Sequence, residues 1–355
     1  MKTYLLLENG EVFEGSSIGV SGETIGEVVF TTGMGSYMET LTDPSYYGQI
    51  ITHTFPLIGN YGAISVDSES DAPACRGYIV RELCAHGSNF RMEEELNDYL
   101  VKQNIVGLCG IDTRRLTKIL RECGVMNGMI TPSVADTDEK LKRIKAYKIE
   151  KAPQKTTVSK ITTFGSGRRV VLIDYGAKRN IVNELTSRGC EVVVVPCTTS
   201  AEDIIALKPK GIMLSNGGGD PAECTYEIEQ IKKLLARKIP TFGICLGHQL
   251  VALALGGQTT KLKYGHRGAN QPVKDMDTGR VYITSQNHGY AVKVKSLGKI
   301  ARERMVNIND KTCEGIDYTD RPCFTVQFHP EAHGGPLDTE FIFDRFIDMM
   351  EGKNA

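Results

Sequence analysis

The sequence predicts an α/β protein in which a strand-rich mixed α/β domain precedes a domain built on a mostly parallel sheet with helices on both faces. The first observation is that short apolar runs alternate with helical segments from Val170 onwards, which is typical of a parallel sheet covered on both faces. The second is that strand-like segments dominate the chain up to about Thr131. The third is the length of 355 residues, which is large for a single core and favours two domains.

The composition, with 41% hydrophobic and 24% charged residues, is typical of a soluble globular protein. The 42 Lys and Arg residues nearly balance the 43 Asp and Glu residues, so we expect no nucleic-acid partner. No apolar run reaches membrane-spanning length, and the N-terminal apolar run meets Glu8 too soon for a signal peptide. The 10 cysteines form no CxxC pair and no zinc-like spacing with histidine, which favours a reducing cytoplasm and no metal site.

Local signals assign residues 1–150 to the N-terminal domain. The dipeptide Asn9-Gly10 between two strand-like runs indicates a hairpin, because these residues tolerate the positive φ angles of a tight turn. Asp112 is suited to cap a helix that Gly124 would end. The predicted elements are a hairpin over 4–13, a strand over 27–33, and helices over 90–101, 113–122 and 133–149.

The second domain is predicted at 170–355, after a linker at 151–169 that is rich in Lys, Thr, Ser and Gly. Its expected strands are 170–175, 191–195, 211–215, 239–244, 281–284 and 323–328, and its expected helices are 180–187, 222–237 and 248–255. Ligands of open α/β sheets bind at the carboxyl ends of the strands. The glycine loop 215–221 and the turn after residue 244 both lie at such ends.

The turn Gly243-Ile244-Cys245-Leu246-Gly247 places a cysteine between an apolar strand and a helix. A sharp turn of this kind needs small flanking residues, because the nucleophile occupies a strained backbone position. The positive end of the helix favours thiolate over thiol. Cys245 is therefore predicted to be a reactive nucleophile, although most cysteines are small core residues.

A candidate base follows the strand 323–328, in the tripeptide His329-Pro330-Glu331. Residues two apart on an extended chain point the same way, and Pro330 keeps the chain before it out of helical geometry. Glu331 can then orient one ring nitrogen of His329 while the other faces Cys245. A surface loop would explain the tripeptide alone equally well, but its combination with the turn favours a catalytic triad.

The glycine loop after residue 215 suits an oxyanion site, because glycines let the backbone approach a substrate closely. The N–H groups of Gly217 and Leu246 could together stabilise the oxyanion that forms when a thiolate attacks a carbonyl carbon. A phosphate-binding role is disfavoured, since no GxxxxGK[ST] pattern is present. An ordinary structural turn explains the loop, taken alone, about as well.

These motifs together resemble the class I (triad) glutamine amidotransferases, whose glutaminase domain is similar to residues 170–350 throughout. Four further segments resemble the small-subunit family of carbamoyl-phosphate synthase: 41–46, 55–62, 110–117 and 174–180. The resemblance covers essentially the whole chain. It is specific, because other amidotransferases of this class lack that N-terminal domain.

The resemblance implies that Cys245 is the nucleophile, His329 the acid/base and Glu331 its orienter. It also implies L-glutamine contacts at Ser45, Gly217, Gly219, Leu246, Gln249, Asn287, Gly289 and Tyr290. From the residues alone, the segment 285–290 would be a polar loop after a strand. Lys178 corresponds to a position near the site, but a solvated cation explains it equally well.

Two positions depart from the family pattern. Gly218 stands where the family usually has proline, which would loosen the loop and weaken the positioning of the oxyanion donors. Tyr290 stands where phenylalanine is common, and we expect little effect because the family contact is mainly through the backbone.

The implied reaction is hydrolysis of L-glutamine to glutamate and ammonia through a cysteine thioester. Ammonia would pass through an internal tunnel to a large synthetase subunit, which makes carbamoyl phosphate from bicarbonate and ATP for arginine or pyrimidine synthesis. ATP and Mg²⁺ are expected on that partner, so no cofactor and no metal are assigned to this chain. Two alternatives remain: a non-catalytic docking subunit with a glutaminase fold, and a stand-alone cysteine hydrolase acting on γ-glutamyl bonds.

Overall fold

A computed structural model describes residues 1–353 of the chain. The chain divides into two compact units, Met1–Ile149 and a second unit that begins at Glu150. Among the described residues, none of the helices combines the length and apolar character needed to cross a membrane.

The first unit is a closed barrel with four helices. Its strands are β1 (Lys2–Leu7), β2 (Val12–Gly19), β3 (Thr24–Thr31), β4 (Gln49–His53), β5 (Leu57–Ile58), β6 (Gly77–Val80), β7 (Glu82–Leu83), β8 (Val106–Cys109) and β9 (Met126–Thr131). Its helices are α1 (Tyr37–Thr42), α2 (Leu96–Lys102), α3 (Thr113–Cys123) and α4 (Thr137–Ala146). The barrel order is β1-β2-β8-β6-β4-β3-β9, and β5 pairs separately with β7.

Several local predictions for this unit are confirmed. The antiparallel strands β1 and β2 form the expected hairpin around Asn9-Gly10. The Asp112 carboxylate accepts a hydrogen bond from the N–H of Arg115 at 2.9 Å, and Gly124 ends α3 with a φ of 97°. The helix predicted at 90–101 was wrong at its start, because α2 begins only at Leu96 and the backbone of Glu95 before it is extended, with a φ of −68° and a ψ of 144°.

The second unit contains a sheet of ten strands. Its helices are α5 (Ala152–Thr156), α6 (Arg179–Ser187), α7 (Ala201–Ala206), α8 (Thr225–Ala236), α9 (Leu246–Ala254) and α10 (Phe341–Met350). Its strands are β10 (Thr162–Gly165), β11 (Arg168–Tyr175), β12 (Cys190–Pro196), β13 (Gly211–Gly217), β14 (Thr241–Ile244), β15 (Thr259–Asp275), β16 (Val281–Val292), β17 (Ala301–Asn307), β18 (Cys313–Tyr318) and β19 (Cys323–Val326). The order is β10-β12-β11-β13-β14-β19-β18-β17-β15-β16.

The predicted α/β architecture is confirmed. Strands β12, β11, β13, β14 and β19 are parallel. Successive side chains of each strand point to opposite faces of the sheet, and each face carries its own hydrophobic core. Val171 and Ile173 join the core under α7, α8 and α9, whereas Val170 and Leu172 join the core under α6 and α10. The antiparallel strands β18, β17, β15 and β16 extend this parallel centre at one side.

The prediction of a linker at 151–169 is wrong. This segment contains α5 and β10, and β10 pairs antiparallel with β12 at the edge of the sheet. Three of the four residues of β10 are exposed, and Phe164 is its only apolar side chain, so the strand lacks the apolar pattern that identifies a buried strand. An edge strand needs few apolar residues because one of its sides faces solvent.

Candidate active site

The turn between β14 and α9 has the strained backbone that the sequence predicts. Cys245 has a φ of 52° and a ψ of −102°, in the region that residues with a side chain rarely adopt. A Cβ atom added at Gly247 would lie 2.5 Å from the main-chain oxygen of Leu214, and one at Gly243 would lie 2.9 Å from Gly247. Both glycines are therefore required sterically for the helix to start this close to the sheet.

Neighbouring parallel strands bring the histidine to the cysteine. Ile244 at the end of β14 pairs with Val326 at the end of β19, and the N–H of Cys245 donates to the Val326 oxygen at 2.9 Å. His329 follows β19 by three residues, and its N–H donates to the oxygen of Ser285 at 2.9 Å. Residues distant in the chain thus meet at one edge of the sheet, where α/β proteins bind their ligands.

The imidazole of His329 lies between a carboxylate and a thiol. Its Nδ1 is 2.6 Å from Oε1 of Glu331, and both side chains are buried. Its Nε2 is buried and faces the Cys245 thiol. Burial and Lys178 lower the pKa of His329, but Glu331 and the neighbouring Cys245 thiol outweigh them and raise it well above its usual value. Burial opposes ionisation of Glu331, yet His329 and Lys178 lower the pKa of that carboxyl.

Lys178 is a buried member of this group, so its interpretation as a solvated cation was wrong. Its Nζ lies 3.3 Å from Oε1 of Glu331, and the residue is 6% exposed. Its main-chain N–H donates to Oδ1 of Asn216 at 3.0 Å, which ties the segment after β11 to the end of β13. Sequence analysis left two interpretations of Lys178 open, because the resemblance placed it near the site while the residue itself gave no sign of its burial.

The glycine loop after β13 approaches the start of α9. A Cβ atom at Gly217 would lie 2.7 Å from Cδ2 of Leu246 and 2.5 Å from the oxygen of Tyr175. Only glycine allows this approach, and Gly219 has a φ of 90° that likewise favours glycine. Gly217 and Leu246 are therefore neighbours, as the expected pair of oxyanion donors requires. The loosening expected from Gly218 stays a prediction.

The segment 285–290 is part of β16, which corrects the predicted polar loop. The thiol of Cys245 donates to the oxygen of Asn287 at 3.7 Å. Nε2 of Gln249, on α9, donates to the oxygen of Tyr290 at 3.0 Å. Gly289 lies between these two positions on the same strand. Four of the expected glutamine-contacting residues thus lie on α9 and β16, and one of them, Asn287, contacts the nucleophile.

Ser45 lies in the first unit, on a single turn of 3-10 helix formed by Pro44–Tyr46. Its N–H donates to Oδ1 of Asp43 at 2.9 Å, and the residue is buried. Its expected contact with glutamine stays a prediction.

A second buried polar group lies on the antiparallel strands and was missed by sequence analysis. His266 of β15, His288 of β16 and Glu314 of β18 place possible metal-ligating atoms within 4.8 Å of one another. Burial lowers the pKa of His266, but Asp310 and Glu314 outweigh it and raise that pKa to about 9. The spacing of these residues follows no known motif, so the sequence contained no signal for the group.

The arrangement around Cys245 can perform acyl transfer. It provides a sulfur nucleophile in a strained turn, an imidazole that can carry a proton, and a carboxylate that fixes the orientation of the imidazole. Main-chain N–H groups near Gly217 and Leu246 are suited to stabilise a negatively charged oxygen.

Comparison with known proteins assigns both parts of the chain. The profile of the family Glutamine amidotransferase class-I matches residues 171–349, and that of the Carbamoyl-phosphate synthase small chain, CPSase domain, matches residues 5–130. The carbamoyl phosphate synthase small chain of Listeria monocytogenes EGD-e is 50% identical over 355 residues, covering 99% of this chain and 98% of that protein. The small chain of Bacillus cereus ATCC 10987 is 51% identical, covering 99% and 96%. The pyrimidine-specific small chain of Bacillus subtilis 168 is 50% identical, with the same coverage. The chain therefore belongs to the carbamoyl-phosphate synthase small-chain family, and its second unit to the class-I glutamine amidotransferases.

Proposed function

We propose that this chain is the glutaminase subunit of a carbamoyl-phosphate synthase and hydrolyses L-glutamine to glutamate and ammonia. The observation that carries the proposal is the Cys245–His329–Glu331 arrangement at the carboxyl ends of β14 and β19. Membership of the small-chain family makes the side-chain amide of glutamine the substrate that this triad would attack.

In the first half of the reaction, the thiol of Cys245 passes its proton to Nε2 of His329, and the resulting thiolate forms a bond to the amide carbon of glutamine. The amide oxygen becomes negative and accepts hydrogen bonds from the N–H groups of Gly217 and Leu246. The carbon–nitrogen bond then breaks, while the imidazolium of His329 donates its proton to the departing ammonia. Glu331 holds Nδ1 of His329, so that Nε2 faces the reacting atoms.

In the second half, water hydrolyses the resulting thioester. The now neutral His329 accepts a proton from water as its oxygen attacks the carbonyl carbon. The carbon–sulfur bond breaks, glutamate leaves, and the sulfur of Cys245 is regenerated. The proposed glutamine contacts are Ser45, Gly217, Gly219, Leu246, Gln249, Asn287, Gly289 and Tyr290.

The partner in this proposal is a large synthetase subunit, which receives the ammonia through an internal tunnel and binds ATP, Mg²⁺ and bicarbonate. Relatives named as small chains match over almost their full length, which supports a chain that works with a larger one. We place the complex in the cytoplasm. Its carbamoyl phosphate would serve pyrimidine or arginine synthesis, and the name of the Bacillus subtilis relative supports the former.

The test is Cys245→Ser in the chain co-purified with its large partner. We expect loss of glutamine-dependent carbamoyl phosphate synthesis with ammonia-dependent synthesis retained, because only the supply of nitrogen is blocked. Cys123→Ser, at an exposed cysteine, is the matched control and should leave both activities unchanged. Unchanged glutamine use in Cys245→Ser would favour the docking subunit, and full glutaminase activity in a chain that binds no large partner would favour the stand-alone hydrolase.

A further inference from the structure

Four buried side chains converge on one point of the antiparallel strands, and we call them the His266 cluster: His266, Gln286, His288 and Glu314. They come from β15, β16 and β18, next to the strand segment that carries Asn287. None of them is more than 8% exposed, so each polar atom there needs a partner inside the protein.

Each imidazole of the cluster has one ring nitrogen within hydrogen-bond distance of an oxygen that lies outside the cluster. Nε2 of His266 lies 2.8 Å from a carboxylate oxygen of Asp310, and Nδ1 of His288 lies 2.8 Å from the main-chain oxygen of Tyr290. A carbonyl oxygen only accepts, so Nδ1 of His288 carries a proton and its Nε2 points inward. Histidines that bind metals almost always donate the other ring N–H to a carboxylate or a carbonyl in this way.

Inside the cluster, two acceptors face each other. The hydroxyl of Thr284 donates its one proton to the oxygen of Gln271 at 2.9 Å, so it accepts from Nε2 of Gln286 at 3.1 Å. The amide oxygen of Gln286 must then face Nε2 of His288, at 3.1 Å. With its proton on Nδ1, the neutral imidazole of His288 presents a lone pair at Nε2. The carboxylate of Glu314 adds a further acceptor, because its Oε2 has no hydrogen-bond partner among residues 1–353.

Several separations within the cluster are near those around a tetrahedral cation, and the ligand atoms of His266, His288 and Glu314, which lie within 4.8 Å of one another, would draw closer around it. Zinc bonds of 2.0–2.1 Å place ligand atoms about 3.3 Å apart. Oε1 of Glu314 lies 3.3 Å from Nδ1 of His266 and 3.9 Å from Nε2 of His288. The amide oxygen of Gln286 lies 2.9 Å and 3.1 Å from the same two nitrogens. Two imidazole nitrogens with oxygen donors suit zinc-class ions, whereas Mg²⁺ and Ca²⁺ prefer oxygen alone.

We infer that the His266 cluster is a structural binding site for one zinc-class divalent cation, which would join β15, β16 and β18. The cation would replace the contact between the lone pairs of Gln286 and His288 with two attractive bonds. The cation would compete with a proton for Nδ1 of His266. The inference departs from the expectation of no metal site, which rested on sequence spacing alone, and it uses none of the residues proposed for catalysis.

The test measures metal uptake by the full-length chain after treatment with a chelator and dialysis against Co²⁺ or Zn²⁺. We expect one equivalent of metal, the visible absorption of tetrahedral cobalt without a cobalt–thiolate band, and a higher melting temperature with metal. Glu314→Gln should lower the affinity at least about tenfold, because it removes a charged ligand. Asp310→Asn should lower it about tenfold by weakening the outer contact to His266.

The matched control is His86→Asn, at an exposed histidine, which should bind metal like the unchanged chain. Uptake below one equivalent, a cobalt–thiolate band, or unchanged affinity in Asp310→Asn overturns the inference. The Asp310 side chain is 43% exposed, so this variant is suited to keep its fold even if Glu314→Gln does not. The readouts do not involve glutamine, so failure here leaves the glutaminase proposal standing.

Discussion

Replacing Glu331 with glutamine should reverse the pH dependence that His329 gives to the stability of the second unit. In the native chain the carboxylate faces two buried cationic groups, His329 at 2.6 Å and Lys178 at 3.3 Å. Glutamine keeps the size and an acceptor oxygen but removes the charge. Breaking a buried ion pair by removing one partner costs about 3–5 kcal/mol, a large part of the stability of a domain.

The sign of the pH effect follows from the causes of the pKa shifts. In the native chain the raised pKa of His329 adds stability that is fully present below about pH 6.5, the usual imidazole value, and is lost as the pH rises towards the raised pKa. In Glu331→Gln, burial and Lys178 remain as the two largest causes and lower the pKa of His329, against the smaller opposing effect of the Cys245 thiol. The variant therefore loses stability as the pH falls below about 6.5, because only its unfolded state binds the proton.

These two effects combine in the difference between the chains. We compare the free energy of unfolding of the native chain with that of the variant. The native value minus the variant value should increase by about 1.4 kcal/mol for each pH unit from pH 8 down to pH 6, because the folded native chain binds one proton more than the folded variant over this whole range. The total change is about 2.7 kcal/mol. Other titrating groups cancel in this difference.

Urea unfolding followed by circular dichroism at several pH values measures the difference, since the chain contains no tryptophan. Glu229→Gln, at an exposed carboxylate on α8, is the matched control, and its difference from the native chain should not change with pH. A difference for Glu331→Gln that stays constant or shrinks from pH 8 to pH 6 would refute the conclusion that Glu331 holds His329 protonated.

Two further predictions concern packing and capping. Gly247→Ala should destabilise the second unit by about 1–3 kcal/mol and impair glutaminase activity, because the added methyl group would lie 2.5 Å from a main-chain oxygen of β13. Gly35→Ala, which adds a methyl group in open space, should change stability by less than about 0.5 kcal/mol in the same urea experiment, and equal effects would contradict the steric argument. Asp112→Ala should cost the first unit about 1 kcal/mol, because the N–H of Arg115 loses its capping partner. A similar loss in Glu122→Ala, at an exposed position on α3, would show that capping is not the cause.

Features that depend on neighbouring residues could be predicted from the sequence. The strained turn at Cys245 was predictable because Gly243 and Gly247 lack the Cβ atoms that would collide there. The limits of α3 followed from Asp112 and Gly124, whose conformations and hydrogen bonds involve only the adjacent turn of helix. The alternation of buried strands and helices likewise follows from the periodic placement of apolar residues.

Contacts between residues that are distant in the sequence were decided only by the tertiary structure. The pairing of β14 with β19 brings Cys245 to His329, and the sequence shows only that each follows an apolar strand. A lysine that will be buried beside a carboxylate looks the same in sequence as a solvated one, so the ion pair of Lys178 was unpredictable. The His266 cluster and the strand at 285–290 were missed because their buried groups are polar, and hydrogen bonds across strands replace the apolar pattern that identifies a core. Local steric rules act on a few adjacent residues, whereas burial and pairing depend on the whole folded chain.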